Sequence, residues 1–321
     1  MKTRNITVIG LGRTGTSVGL ALKRAIRDVT IVGHDANQER MQVAQSLGAF
    51  DAVQSSLGRA AAAADILIIT LPADQLENTL AAVGDRVQEH ALVLDLSPLK
   101  AAGQEWARTY LRQGHFVGAA PVLAASALED GRRGPESARA DLFQNSLICL
   151  VPSPTADPQA VETAVTLGSL LGAKPFFLDA AEYDSLVKGV ETLPGLVAAA
   201  VFRAVTRSTG WRDMLRFAGL PFAVSTSALQ DENEIAVMAL QDRDATLRWL
   251  DAVLAELEEI RQWVAGQESE RLSAYLSHLQ AERESWLAER RENDWEEHVT
   301  PDIKPLSFKD RMLGYRGERD R

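Results

Sequence analysis

Gly10, Gly12 and Gly15 follow directly on the β-branched run Ile6 to Ile9 and open a helix-compatible stretch, Thr16 to Ile26. Such a turn suits a dinucleotide. The first glycine allows the tight bend, the second removes a side chain where the backbone meets the pyrophosphate, and the third lets helix and strand pack closely. The diphosphate then rests on free amides at the helix N-terminus, where the macrodipole favours negative charge. Those amides belong to Gly10-Leu11-Gly12-Arg13-Thr14-Gly15. A second strand, Val29 to Gly33, leads to Asp35, about 20 residues beyond the glycines, where an acid bonds the adenosine ribose. The ordered set predicts a nicotinamide cofactor. A carboxylate at position 35 repels the 2′-phosphate of NADP and so favours NAD. Arg13 and Arg40 nearby weaken that preference, and NADP stays as the alternative.

The reacting groups of a doubly wound sheet gather at the carboxyl ends of its strands. Three loops qualify: Thr70-Leu71-Pro72, Asp95-Leu96-Ser97-Pro98-Leu99-Lys100 and Gly118-Ala119-Ala120-Pro121. Leu71 and Pro72 are expected to pass under the nicotinamide ribose, with Ser97 also on the cofactor side. Ser97 and Lys100 offer a hydroxyl and an ammonium to orient a substrate. Further along, Arg212 and Arg216 lie four residues apart, on one face if the segment is helical. A guanidinium grips a carboxylate with two parallel bonds.

The elements that position these groups are legible as alternation. Asp65 to Thr70, Ala91 to Leu96, Phe116 to Ala119, Ser146 to Val151 and Pro175 to Leu178 are short apolar runs that read as buried parallel strands. Helical stretches such as Asn37 to Leu47, Gln75 to Val87 and Pro158 to Leu171 separate them, which implies an α/β, doubly wound sheet of Rossmann type. Beyond about Ala180 the strand signals stop. Tyr183 to Thr209, Pro221 to Leu229, Glu232 to Gly266 and Ser269 to Arg291 carry helical periodicity and predict an all-α domain. The expected division is therefore 1–180 for the nucleotide-binding domain, 181–291 for a helical substrate and dimerisation domain, and 292–321 for a charged tail. The stretch 128–139 reads as a mobile loop near the crevice. Glu232 to Gly266 is too long to bury its apolar face alone, which predicts a homodimer.

Composition sets outer bounds. The chain has 321 residues, 46% hydrophobic and 24% charged, and a net charge of −10. That charge repels polyanions and argues against nucleic-acid or anionic-membrane partners, so a small anionic ligand must be captured by local arginines. A single cysteine, Cys149, lies in an apolar run, excludes an internal disulfide and points to a reducing, cytoplasmic compartment. No signal-peptide pattern and no apolar run of membrane-spanning length is read. No metal site is assigned.

The series of motifs resembles the prephenate/arogenate dehydrogenase family. GxGxxGxS continues as Gly10 to Ser17, G-x-D as Gly33-His34-Asp35, "lGaiD" as Leu47 to Asp51, and "AD-apolar-PV" as Ala64-Asp65 to Pro72. "D-x-x-S-x-K" is close to Asp95 to Lys100, "A-x-x-LF-x-n…TP" to Ala138 to Pro152, "HD…SHLPH" to Tyr183-Asp184 to Gly195, and "FRD-x-TRIA" to Trp211 to Ala218. The resemblance runs to about Gly266. It implies NAD-dependent oxidative decarboxylation in tyrosine formation, with the site in the cleft between the domains and substrate contacts at Arg216, Arg212 and Thr192. The departures fall on the substrate side. The catalytic histidine of "HPM" falls on Ala120, and "SHLPH" becomes Glu191-Thr192-Leu193-Pro194-Gly195, without either histidine. Ser97, Lys100, Tyr183 and Glu191 are the candidates to hold the substrate's hydroxyl proton instead. A dehydrogenase or reductase of the same architecture with a diverged substrate, and an idle NAD-binding regulator, are the alternatives.

Overall fold

The computed structural model describes residues 5–123, 125–127, 134–229 and 232–292. Eight strands form one sheet: β1 (Asn5–Ile9), β2 (Thr30–His34), β3 (Ala52–Val53), β4 (Ile66–Ile69), β5 (Leu92–Asp95), β6 (His115–Val122), β7 (Ser146–Pro152) and β8 (Ala173–Phe177). Their order is β3-β2-β1-β4-β5-β6-β7-β8, parallel except for the antiparallel β6–β7 pair. Strand order reverses between β1 and β4, which pair with Val8 opposite Ile68. In sheets of this kind ligands bind at that switch point, beyond the carboxyl ends of the strands.

Alternation along each strand feeds two cores. Ile6, Val8, Ile66, Ile68, Leu92 and Leu94 face one side with Val18 and Leu22 of helix α1 (Arg13–Ala25). Ile9, Leu67, Ile69 and Val93 face the other with Leu76 and Leu80. Helices α2 (Gln38–Ser46), α3 (Leu57–Ala62), α4 (Ala73–Val83), α5 (Ala101–Tyr110) and α6 (Pro158–Leu171) complete this half. Every strand expected from sequence is present, but β6 and β7, expected parallel, pair antiparallel, and the sheet adds β3, which at two residues carries no periodic signal. Helices α3 and α5 fall between expected strands, in keeping with the alternation, though their bounds are not set from sequence. α2 and α6 announce themselves locally, because Asn37 and Asp157 each accept two amides of the first turn. α5 has no such neighbour, and its cap comes from far along the chain.

The second half is helical: α7 (Ala180–Val187), a π turn (Lys188–Thr192), α8 (Leu193–Thr206), α9 (Trp211–Met214), α10 (Leu220–Ser225), α11 (Glu232–Gln241), α12 (Arg243–Ala265) and α13 (Ser269–Glu292). The π turn has a local cause. Pro194 has no amide and its ring crowds the preceding turn, and the Leu193 amide bonds back to the Lys188 carbonyl. The single helix expected over 232–266 is divided, since Asp242 leaves helical geometry and caps α12 through the Ala245 amide at 3.0 Å.

The helical stretch 180–206 corrects the expectation about apolar runs: by length and composition it is long and apolar enough to cross a membrane. It nevertheless carries buried Asp184 and Lys188, both turned toward protein groups. Residues 128–133 of the expected loop lie outside the described residues, as do 293–321 of the tail. The described part, Gly134 to Arg139, packs on α1, where the Ser17 hydroxyl accepts the Arg139 amide at 3.0 Å.

Candidate functional site

The turn after β1 is built by close approach. Gly10 has φ +91°, and a Cβ there would stand 2.8 Å from the Thr70 carbonyl oxygen. A Cβ on Gly15 would fall 1.9 Å from the Gly10 carbonyl oxygen and 2.5 Å from the Thr70 hydroxyl. Only glycine lets α1 seat this near the β4 loop. The Thr70 hydroxyl locks the approach by donating to the Gly10 carbonyl at 2.6 Å. Gly12 is the N-cap of α1, so the amides of Arg13, Thr14 and Gly15 lie in the first turn, where none has an intrahelical acceptor. Leu71 and Pro72 follow β4, with Pro72 at the start of α4.

Asp35 stands beside this turn, buried, its two oxygens accepting the Leu11 and Asn37 amides at 2.7 Å each. The carboxylate thus fixes the turn as well as marking the end of β2. The cradle that side chains would fill, the open helix terminus and the adjacent acid fit the adenosine and pyrophosphate parts of a dinucleotide.

A second cluster closes the inner end of the crevice. Lys100 is wholly buried, and its ammonium donates to the Asp95 carbonyl at 3.0 Å, to the Asp95 carboxylate at 3.4 Å and to the Ser97 carbonyl. The Asp95 carboxylate also accepts the Ser97 amide at 2.9 Å and hydroxyl at 3.0 Å. Burial pushes the Asp95 carboxyl up and the Lys100 ammonium down from their usual ranges, against their mutual attraction. Asp184, from α7, accepts the Lys100 and Ala101 amides at 2.8 and 2.9 Å and so caps α5 across the domain boundary. Burial raises its carboxyl too. The Tyr183 ring lies under the ammonium, 5.7 Å from Nζ to the ring centroid. Sequence reasoning placed Ser97 and Lys100 against substrate and did not foresee Asp184. In the structure the Lys100 ammonium has three acceptors from the chain itself, the Asp95 carbonyl and carboxylate and the Ser97 carbonyl, and so braces the loop that carries it.

The positions without histidine are filled or apolar. Ala120 is buried opposite Cys149 in the β6–β7 register. Around them pack Val151, Phe176, Leu178, Ala180 and Tyr183. Burial pushes the Cys149 thiol up to about 12, which leaves it a poor nucleophile. A Cβ on Gly195 would stand 2.9 Å from Ile235 Cδ1, so a side chain of α11 packs close against this position. Thr192, on the π turn, is buried with a hydroxyl that has no hydrogen-bond partner. Arg212 and Arg216 do not share a helical face: α9 ends at Met214 and Arg216 lies in the following turn, both exposed.

Comparison with known proteins covers both halves. Residues 18–176 match the family described as prephenate dehydrogenase, nucleotide-binding domain, and residues 179–278 match prephenate dehydrogenase, dimerization domain. A cyclohexadienyl dehydrogenase of Zymomonas mobilis is 22% identical over 91% of this chain and 98% of its own length. A prephenate dehydrogenase of Bacillus subtilis is 26% identical over 84% of this chain and 73% of its own. The crystal structure of prephenate dehydrogenase from A. aeolicus, in complex with hydroxyphenyl propionate and NAD+, superposes with a TM-score of 0.75 at 19% identity, over 89% of this chain and 99% of that one.

The buried pair gives a stability prediction. Lys100→Met leaves the Asp95 carboxylate without its cation, and denaturant unfolding is expected to show a loss of about 3–5 kcal/mol. Adding Asp95→Asn to the same variant is expected to recover part of that loss.

Proposed function

The chain belongs to the prephenate dehydrogenase family, and from that premise we propose that it uses NAD to oxidise and decarboxylate prephenate or arogenate, a step of tyrosine formation. The observation that carries the reading is the complete nucleotide turn, with Asp35 locked against it, joined to a helical half that matches the same family. The amides of Arg13, Thr14 and Gly15 would hold the pyrophosphate, Asp35 the adenosine ribose, and Leu71, Pro72 and Ser97 the nicotinamide end. NAD supplies a hydride acceptor for the carbinol carbon. The substrate's quaternary carboxylate leaves as CO2, and the ring oxygen ends as a phenol that keeps its proton. The group facing that oxygen therefore only has to hydrogen-bond it.

Ser97 and Lys100 hold the floor of the crevice in this reading, and Arg216, with Arg212 and Thr192, meets the substrate's carboxylates and side chain. The proposed division is 1–180 for cofactor, 181–291 for substrate and dimer contacts, and 292–321 for the tail. A homodimer follows from where apolar surface is left bare. Apart from Leu47, every exposed large hydrophobic among the described residues lies at or beyond Leu186, including Phe217 at 87% and Leu220 at 75%. A second copy would cover that surface. One observation favours a second reading, a dehydrogenase of this architecture with another carboxylated substrate: Ile235 fills the space beside Gly195.

Purified protein is expected to reduce NAD with prephenate or arogenate, and no turnover on either would leave the second reading. Arg216→Ala is expected to raise the Michaelis constant about 10- to 150-fold with little change in kcat, as the loss of a charge-assisted contact of roughly 1.5–3 kcal/mol requires. Asp35→Ala should narrow the preference for NAD over NADP in calorimetry by removing the repelling carboxylate. Light scattering at micromolar concentration should give twice the chain mass, and a monomer would contradict the covered apolar face.

A further inference from the structure

We propose that Tyr183 is the side chain that contacts the reacting oxygen of the substrate, reaching from α7 to the spot that Ala120 leaves without a polar group. Four residues compete for that role by sequence. The Ser97 hydroxyl is buried and donates to Asp95, and the Lys100 ammonium has three internal acceptors. Glu191, on the π turn, is exposed to solvent. Of the four, Tyr183 packs against the Ala120, Cys149 and Val151 cluster while staying partly accessible, and among the described residues its hydroxyl has no hydrogen-bond partner. Its ring is held between that cluster and the Lys100 ammonium, so packing fixes its place before any ligand arrives.

A phenol both donates and accepts a hydrogen bond. It meets the demand of a reaction in which the oxygen keeps its proton, as the dehydrogenase reading has it; the proposal rests on that reading for the substrate's identity alone. The groups facing Tyr183 are Cys149 from β7, Asp95 from β5, Lys100 from the loop that follows it, Asp184 from its own helix and Glu191 from the π turn. Burial, with the negative charges of this set, pushes the phenol well above its ordinary range. It stays protonated through neutral and mildly alkaline solution. An imidazole at this place would change charge near pH ~6.5, whereas the phenol leaves the contact constant between about pH 6 and 9.

The test is a cycle between one side chain and one ligand atom. Calorimetry with NAD present compares 3-(4-hydroxyphenyl)propionate with 3-phenylpropionate, which differ by a single hydroxyl, on wild type and Tyr183→Phe. Wild type is expected to favour the hydroxyl compound by about 2- to 12-fold, the range of one neutral hydrogen bond. Tyr183→Phe should lose that preference while keeping its affinity for NAD and its melting temperature. A merely structural tyrosine would weaken both ligands alike. An unchanged preference in the variant, or binding of neither compound to wild type, overturns the proposal. If the preference vanishes with Tyr183→Phe while wild type turns over neither prephenate nor arogenate, the contact stands and the substrate reading falls. With turnover, kcat should drop about tenfold in the variant, and the wild-type pH profile should be flat across the neutral range.

Discussion

An ammonium cut off from solvent must find an acceptor for each of its protons, and Lys100 finds all of them within the loop that carries it. The Asp95 carbonyl, the Asp95 carboxylate and the Ser97 carbonyl surround Nζ, and the same carboxylate takes the Ser97 amide and hydroxyl. Any movement of the loop would strand a buried charge, which is far more costly than losing an exposed pair. The arrangement therefore fixes the end of β5, the start of α5 and the floor of the crevice together. Asp184 extends it across the chain. By capping α5 from α7, it ties the helical half to the sheet at the place where substrate would lie between them.

The two sides of the site meet different physical demands. On the cofactor side the tolerances are tight, since Gly15 has no room for one added carbon and Asp35 is engaged with both oxygens. On the substrate side, the places where the resembled motif carries histidine are now an alanine in an apolar cluster and a glycine pressed by Ile235. A pocket altered in this way still needs a polar group opposite the reacting oxygen. Tyr183 packs beside that place from a different element, which would let the role pass from the sheet to the helical half.

The helical half is bound to the sheet by a small core, in which Leu99 and Ala73 meet Met238, with Val187 and Val237 around them. Most of its other large apolar side chains face outward. Burying such surface is worth roughly 25 cal/mol per Å², so the exposed faces of α8 to α13 are the strongest physical reason for a second copy. The apolar composition of 180–206 belongs to the same account. Its residues lie in the part of the chain that matches a dimerization domain.

The sequence by itself determined whatever depends on neighbours along the chain. Continuous apolar runs give buried parallel strands, glycines at 10, 12 and 15 with Asp35 give a nucleotide turn, and Asn37 and Asp157 announce helices by caps two or three residues away. The helical half was equally legible from its period, because amphipathicity repeats locally. What only the tertiary structure decided are contacts between distant segments. The cap of α5 is of this kind, since Asp184 lies 84 residues beyond the Lys100 amide. The break at Asp242 depends on which residue caps α12, and β3 exists only as a partner for Val32 and Gly33. That Lys100 is buried and braces its own loop is likewise decided by the fold, because side-chain reach and solvent access are properties of the packed molecule. The setting of Tyr183 beside Ala120 is of the same kind, since a pairing of helix and strand 63 residues apart leaves no periodic trace along the chain.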